Sequence, residues 1–319
     1  MAQYWLVHPR GRTMPRSTTP QTLSREITIS GHGLHSNRPC SVRLVPVAAP
    51  SGLVFVHVPT GTEIPAKADL AGDLVLATTL VKDGVRLQTI EHLLSALAGL
   101  EIEHLRIEVD AEELPILDGS AAPWVDAILQ AGAKSLEGRR RFLKITRPVE
   151  VRNGDRWIRA LPYDGLRLRY VIDFPIPALG RQSRELSLTP EKYRRELGAA
   201  RTFCLAQEID MMRARGLALG GSLDNAVVFG ADGPLNESLR FEDEAVRHKM
   251  LDLVGDLALL GAPLLGLVEA HAAGHALHVA LAQAILADPS CWEWTEDAEP
   301  ANVQFFFRPS DLSIAAQPA

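Results

Sequence analysis

Cysteine is scarce: Cys40, Cys204 and Cys291 are the only three in 319 residues. They are odd in number and far apart, which excludes both a disulfide framework and a CxxC metal pair. That usage fits a reducing compartment, so the expected location is cytoplasmic. Long apolar runs are also missing. The longest uncharged one near the C-terminal end, LALLGAPLLGLV over 257–268, falls short of the ~20 residues a membrane-spanning helix needs and has Pro263 in its middle. Basic charge is not in excess either. At a formal net charge of −6, nothing attracts nucleic acid or an anionic membrane through bulk charge. An anionic small ligand would need a local cluster of Arg, Lys or His. The Gly220-Gly221 pair belongs to no GxGxxG loop and no P-loop Lys follows it, which disfavours nucleotide hydrolysis.

What is present is ordinary globular composition, 46% hydrophobic and 23% charged, with enough chain for two domains. Residues 1–21 carry basic residues without an acid until later and an apolar YWLV too short for a secretory core; they read as a disordered leader, with Met14 an alternative start. From 26 to 60, short β-rich runs alternate with Gly, Pro, Ser and Asn turns. TIEHLLSALAGL predicts a helix starting after Thr89 and ending near Gly99, HLRIEVD a strand, and Pro123 the first turn of a second helix. After the charged LEGRRR the rhythm resumes with strands over FLKITRPVEVRNGDRWIRALP and LRLRYVIDFP. Helices over TPEKYRRELGAAR, AVRHKMLDLVGDLALLG and ALHVALAQAILA follow. This rhythm predicts two α+β domains with a boundary near 138.

The helix that contains HKMLDLVGD sets His248, Asp252 and Asp256 at i, i+4 and i+8, so the three side chains stack on one face. The plain reading is a solvated stripe with Met250, Leu251, Leu253, Val254 and Leu257 turned inward. The sharper reading is a metal site. His92, beside Glu91 early on the first helix, supplies a third ligand and leaves a fourth position for water, which is what a hydrolytic zinc site needs. Glu91 would then be the general base; its plain alternative is a surface carboxylate at a helix N-terminus. HAAGHALH brings His271, His275 and His278 together around the start of the last helix, with Gly274 suggesting a loop. A metal reading of His271 and His275 competes with His275 as a cationic acid that protonates a leaving amine, its ring held by Asp256. The Thr202 hydroxyl can serve a developing oxyanion. Met211, Met212, Leu217 and Leu219 are core or the lining of an apolar channel.

TIEHLLSALAGL, EVDAEELPILDGSAAPWV, RTFCLAQEIDMMRARGLALGGSLDNAVVF, FEDEAVRHKMLDLVGDLALLG and GHALH, in this order, resemble the zinc-dependent UDP-3-O-acyl-N-acetylglucosamine deacetylases of lipid A biosynthesis, over roughly residues 21 to 297. The resemblance implies removal of an N-acetyl group from a UDP-linked, 3-O-acylated glucosamine, giving acetate and a free amine. It implies zinc on His92, His248 and Asp252, Glu91 as base, His275 as catalytic histidine oriented by Asp256, and Thr202 on the oxyanion side. Phe203 and Lys249 fall on substrate-contacting positions. It further implies an α+β fold of two similar two-layer α/β-sandwich domains, 22–137 and 138–297, each with a small inserted subdomain. One insert, around 203–230, would form the acyl passage, and 298–319 would be a tail. EIEH stands where the family pattern has GIDN, so Glu103 and His104 put the local packing there in question.

A His₂Asp set also accepts Fe²⁺, and its histidines must be deprotonated to bind metal, so activity should fall in acid. A monomer acting on a UDP-sugar, without nucleic acid or membrane insertion, is the expectation. The rivals are a zinc amidase on another acylated amino sugar and a non-catalytic homologue that binds the ligand.

Overall fold

The structure, a computed structural model, describes residues 17–296. In the N-terminal half the elements are β1 (Gln21–Leu23), β2 (Ile27–His32), β3 (Pro39–Pro46), β4 (Leu53–His57), β5 (Thr62–Pro65), β6 (Thr79–Lys82), β7 (Val85–Gln88), α1 (Glu91–Gly99), β8 (Leu105–Val109), α2 (Ala122–Ala131) and β9 (Ala133–Ser135). The C-terminal half begins with β10 (Phe142–Ile145), β11 (Val149–Asn153), β12 (Arg156–Leu161), β13 (Leu166–Asp173) and β14 (Arg181–Ser187). It continues through α3 (Pro190–Glu196), β15 (Phe203–Leu205), α4 (Ile209–Ala214), β16 (Val227–Phe229), α5 (Glu244–Leu257), β17 (Leu264–His271), α6 (His275–Ala287) and β18 (Trp292–Thr295).

Alternation makes the first sheet. β8 reads LRIEV with Leu105, Ile107 and Val109 buried and Arg106 and Glu108 less so, the period of two expected of a strand with one face on a core. It is the centre of a five-stranded sheet ordered β2-β3-β8-β4-β5, with β4 parallel and β3 antiparallel to it. In the second half β17, buried along nearly its whole length, centres a seven-stranded sheet. It pairs β10 and β13 in parallel and β12 antiparallel. Three small pairs, β1-β9, β6-β7 and β15-β16, stand off these sheets. The fold is thus the expected α+β class with a sheet-and-helix unit in each half.

The helices α1 and α5 pack against each other, and α5 also packs on β13 and β14. α1 is apolar on nearly every side, with Leu93, Leu94 and Leu97 fully buried, each contributing roughly 1.5–3 kcal/mol. Its contact with α5 is close because of a glycine: a Cβ at Gly255 would lie 2.1 Å from the Glu91 carbonyl oxygen. The Ser95 hydroxyl donates to the Leu251 carbonyl at 2.7 Å and accepts from Tyr193 at 2.8 Å, which locks the register of the crossing.

Three expectations change. The leader does not run to residue 21 as a separate segment: Gln21 opens β1, which pairs β9, and Leu136 and Arg140 donate to the Pro20 and Thr18 carbonyls. The rest of that leader, and the tail 298–319, lie outside the described residues. Around EIEH the packing is sound. The His104 ring accepts from the Ser51 and Gly52 amides, and Arg140 pairs with Glu101 and Glu103. Finally, the second half adds a short helix, α4, to the expected α3, α5 and α6.

Candidate metal centre and active site

The solvated-stripe reading of α5 fails. Of its fourteen residues only Arg247 and Lys249 escape burial, and His248, Asp252 and Asp256 are at most 2% exposed. A buried charge must find partners or a cation. The start of α5 is tied by Glu244, whose carboxylate accepts from the Arg201 and Arg240 amides and pairs with the Arg201 guanidinium. That bond draws the segment before β15 against the helix, and Phe203 then meets the His248 ring edge-on at 6.4 Å.

His92 of α1 reaches across the crossing. Its Nε2, that of His248 and a carboxylate oxygen of Asp252 converge, all within 4.8 Å of one another. Asp252 Oδ1 lies 3.2 Å from His248 Nε2 and 3.7 Å from His92 Nε2, and it is a buried oxygen with no hydrogen-bond partner. The tautomer of His248 follows from its neighbour. The Ala200 carbonyl, 3.0 Å from Nδ1, can only accept, so the proton sits on Nδ1 and the Nε2 lone pair faces the centre. Burial and the neighbouring His248 push His92 down to about 3, and burial likewise lowers His248. Burial alone would raise Asp252, but the surrounding cationic and imidazole groups hold it well below the usual carboxylate range. Two neutral imidazoles, an ionised carboxylate and an unpartnered oxygen fit a divalent cation. Because burial keeps the imidazoles neutral, loss of ligands to protons falls at lower pH than for a free histidine.

One turn further along α5, Asp256 meets a different set. Oδ2 accepts from Nδ1 of His275 and of His278, each at 2.8 Å, and Oδ1 accepts from the Thr78 hydroxyl at 2.6 Å. Residues 272–274 are the expected loop, and Gly274 at its end caps α6, so both histidines project from the first turn of that helix. Burial opposes protonation of His275, but the charge of Asp256 and its hydrogen bond outweigh it and raise the ring to about 9. Its Nε2 faces Glu91 Oε1 at 4.0 Å and Asp252 Oδ2 at 3.9 Å. Glu91 is buried, which pushes it up to about 7.

Other sequence candidates sort clearly. Lys249 Nζ lies 2.7 Å from Asp252 Oδ2 and 5.7 Å from the Phe203 ring centroid, so its ammonium is engaged with a candidate ligand. Thr202 is placed by its backbone, donating to Gly119 and accepting from Val227. His271 ends β17 and stacks on Trp157, apart from this centre, which removes the metal reading that paired it with His275. Residues 203–230 form β15, α4 and β16, with Met211, Leu219 and Leu223 each about half exposed (50%, 46% and 47%). Sequence reasoning missed Thr78 and Tyr170, whose hydroxyl meets His278 Nε2 at 2.9 Å and donates to the Ala273 carbonyl. Nothing in LATTLV or LRLRYVID singles them out.

A buried carboxyl and an imidazole facing each other beside a cation-fitting His₂Asp set are the parts that a metal-dependent hydrolase uses. The particular kind comes from comparison. The UDP-3-O-acyl N-acetylglycosamine deacetylase (LpxC) family model matches residues 20–287. The chain belongs to that family. A UDP-3-O-acyl-N-acetylglucosamine deacetylase of Anaeromyxobacter sp. (strain Fw109-5) is 46% identical over 85% of this chain and 90% of its own length. One so named from Anaeromyxobacter dehalogenans (strain 2CP-C) is 44% identical over 86% and 89%. The chain is accordingly an enzyme, a deacetylase of lipid A biosynthesis. Among the described residues no helix is long and apolar enough to cross a membrane.

Proposed function

We propose that this chain hydrolyses the acetamide of UDP-3-O-(3-hydroxyacyl)-N-acetylglucosamine to acetate and the free amine, with His92, His248 and Asp252 holding the catalytic cation. The observation that carries this reading is the unpartnered, buried Asp252 Oδ1 beside two Nε2 atoms, with Glu91 and His275 flanking it. Zinc is the metal proposed, with Fe²⁺ also compatible with the donors. When bound, such an ion polarises the amide carbonyl and lowers the pKa of water, which an unaided carboxylate cannot do for so poor an electrophile.

Glu91 takes the proton of the attacking water, and a buried carboxyl near 7 suits that task at neutral pH. His275, cationic through its bond to Asp256, delivers a proton to the leaving nitrogen. The Thr202 hydroxyl is assigned to the carbonyl oxygen as charge develops there. Phe203 packs against the sugar, and Lys249 offers its charge to the sugar or diphosphate while contacting Asp252. The insert over 203–230 is proposed to pass the acyl chain, in keeping with the exposed Met211, Leu219 and Leu223. Domains over 22–137 and 138–297, a monomeric state and a cytoplasmic location complete the proposal; the free cysteines Cys40, Cys204 and Cys291 accord with the last.

The test is acetate release from that substrate by purified protein, before and after chelation, with zinc or ferrous iron restored. Recovery with metal is expected. Full turnover in the chelated protein would overturn the metal reading, and no turnover by metal-loaded protein would overturn the substrate. Omitting the 3-O-acyl group should weaken turnover if the insert receives it.

A further inference from the structure

Thr78 belongs to no motif, yet it is fully buried and touches every group of the proposed proton chemistry. Its backbone N–H donates to Glu91 Oε2 at 3.1 Å. Its hydroxyl lies 2.6 Å from Asp256 Oδ1 and 3.1 Å from His275 Nδ1. An ionised carboxylate only accepts, so the single hydroxyl proton goes to Asp256. The Thr78 oxygen is then left to accept, and His275 Nδ1–H is shared between it and Asp256 Oδ2.

We infer that Thr78 is a positioning residue that ties the base to the acid, holding Glu91 by its amide and the Asp256–His275 pair by its hydroxyl. The inference rests on the reading of Glu91 and His275 given above. Thr78 comes just before β6 in the N-terminal half, whereas Asp256 and His275 come from α5 and α6 of the other half. One residue therefore fixes the distance across which the two reacting side chains face each other, 4.0 Å from His275 Nε2 to Glu91 Oε1. Asp256 needs the hydroxyl as well. Oδ2 is already taken by His275 and His278, and Oδ1 has Thr78 as its hydrogen-bond donor. Without it a buried carboxylate oxygen is left unpaired, and Asp256 and the imidazole it holds are free to reorient.

Thr78→Val keeps the shape and removes only the hydroxyl, Thr78→Ser keeps the hydroxyl and removes a methyl, and neither touches His92, His248 or Asp252. For Thr78→Val the expectation is a fall in kcat of roughly 10- to 100-fold, the scale of one lost hydrogen bond to a charged group. KM and bound metal should stay at parental values. Thr78→Ser should recover most of the loss. Glu91→Ala and His275→Ala are measured alongside, because parental turnover in either would overturn the reading of the site itself. If both are impaired while folded, metal-loaded Thr78→Val turns over like the parent, only this inference falls. If Thr78→Val fails to fold, the Ser and Ala variants decide: equal losses in the two would overturn a role for the hydroxyl, and a Ser variant well above Ala would support it.

Discussion

Two clusters of one composition, an aspartate with two histidines, lie a single turn apart around α5, and their environments differ in kind. Around Asp252 the donors are fewer: Lys249 donates to Oδ2, Oδ1 has no hydrogen bond, and Nε2 of His92 and of His248 lie 3.7 and 3.2 Å from it. Around Asp256 the donors suffice, with Thr78, His275 and His278 all on one carboxylate. Both groups have the residues to hold a cation. The second is already satisfied by protons, and a metal there would have to displace three hydrogen bonds. At the first, Lys249 reaches only Oδ2 and Oδ1 is left without a donor, so a cation on Oδ1 displaces no hydrogen bond. Residue type does not separate the two clusters; the count of donors aimed at each carboxylate does.

The hardest break of this contrast is Asp252→Ala set beside Asp256→Ala. The first should lose its metal on gel filtration and turnover with it, whereas the second should keep metal, as read by elemental analysis. Equal metal retention in the two would reverse the roles given to the clusters. Next, His275→Ala should retain metal while kcat falls by about 10²–10⁴-fold, the range of general acid catalysis. A loss of metal instead would place His275 in the wrong cluster.

Gly255 lies between the two aspartates, and a Cβ there would meet the Glu91 carbonyl. Gly255→Ala should cost about 1–3 kcal/mol of stability through overpacking, read as a lower midpoint in thermal unfolding, and should weaken both clusters at once. An unchanged midpoint with parental kcat would show that the crossing has room to spare. The smallest expected effect is that of Tyr170→Phe, which removes the hydroxyl behind His278 at a cost of about 1 kcal/mol. Its kcat should drop a few-fold without loss of metal, and any loss of metal would mean that the clusters are coupled.

Much of this was legible beforehand. Glu91 and His92 at the head of a helix, and His248, Asp252 and Asp256 along another, follow from local spacing alone. The α+β rhythm was equally visible, because alternating strands such as β8 and apolar helices such as α1 carry their periods in the chain. Less was visible where backbone geometry intervenes. Gly274 was legible as loop, but not as the cap of α6 that sets His275 and His278 on the same oxygen. Lys249, expected as a substrate contact, also lays its ammonium on Asp252, a partner three residues away on the same helix. Thr78 and Tyr170 carried no signal, since a hydroxyl residue next to a strand or within one is commonplace until its partner is known.

The sequence by itself determined that a histidine and two aspartates share one face of α5, because a helix repeats every ~3.6 residues whatever surrounds it. Only the tertiary structure decided which aspartate is left short of protons. The groups that settle it are His92 and Thr78 from the N-terminal half, and His275 and His278 from α6. The Ala200 carbonyl, which sets the His248 tautomer, also comes from outside α5. Hydrogen bonds and ligation act only over a few ångströms, so a carboxylate's role depends on neighbours that the fold brings from far along the chain.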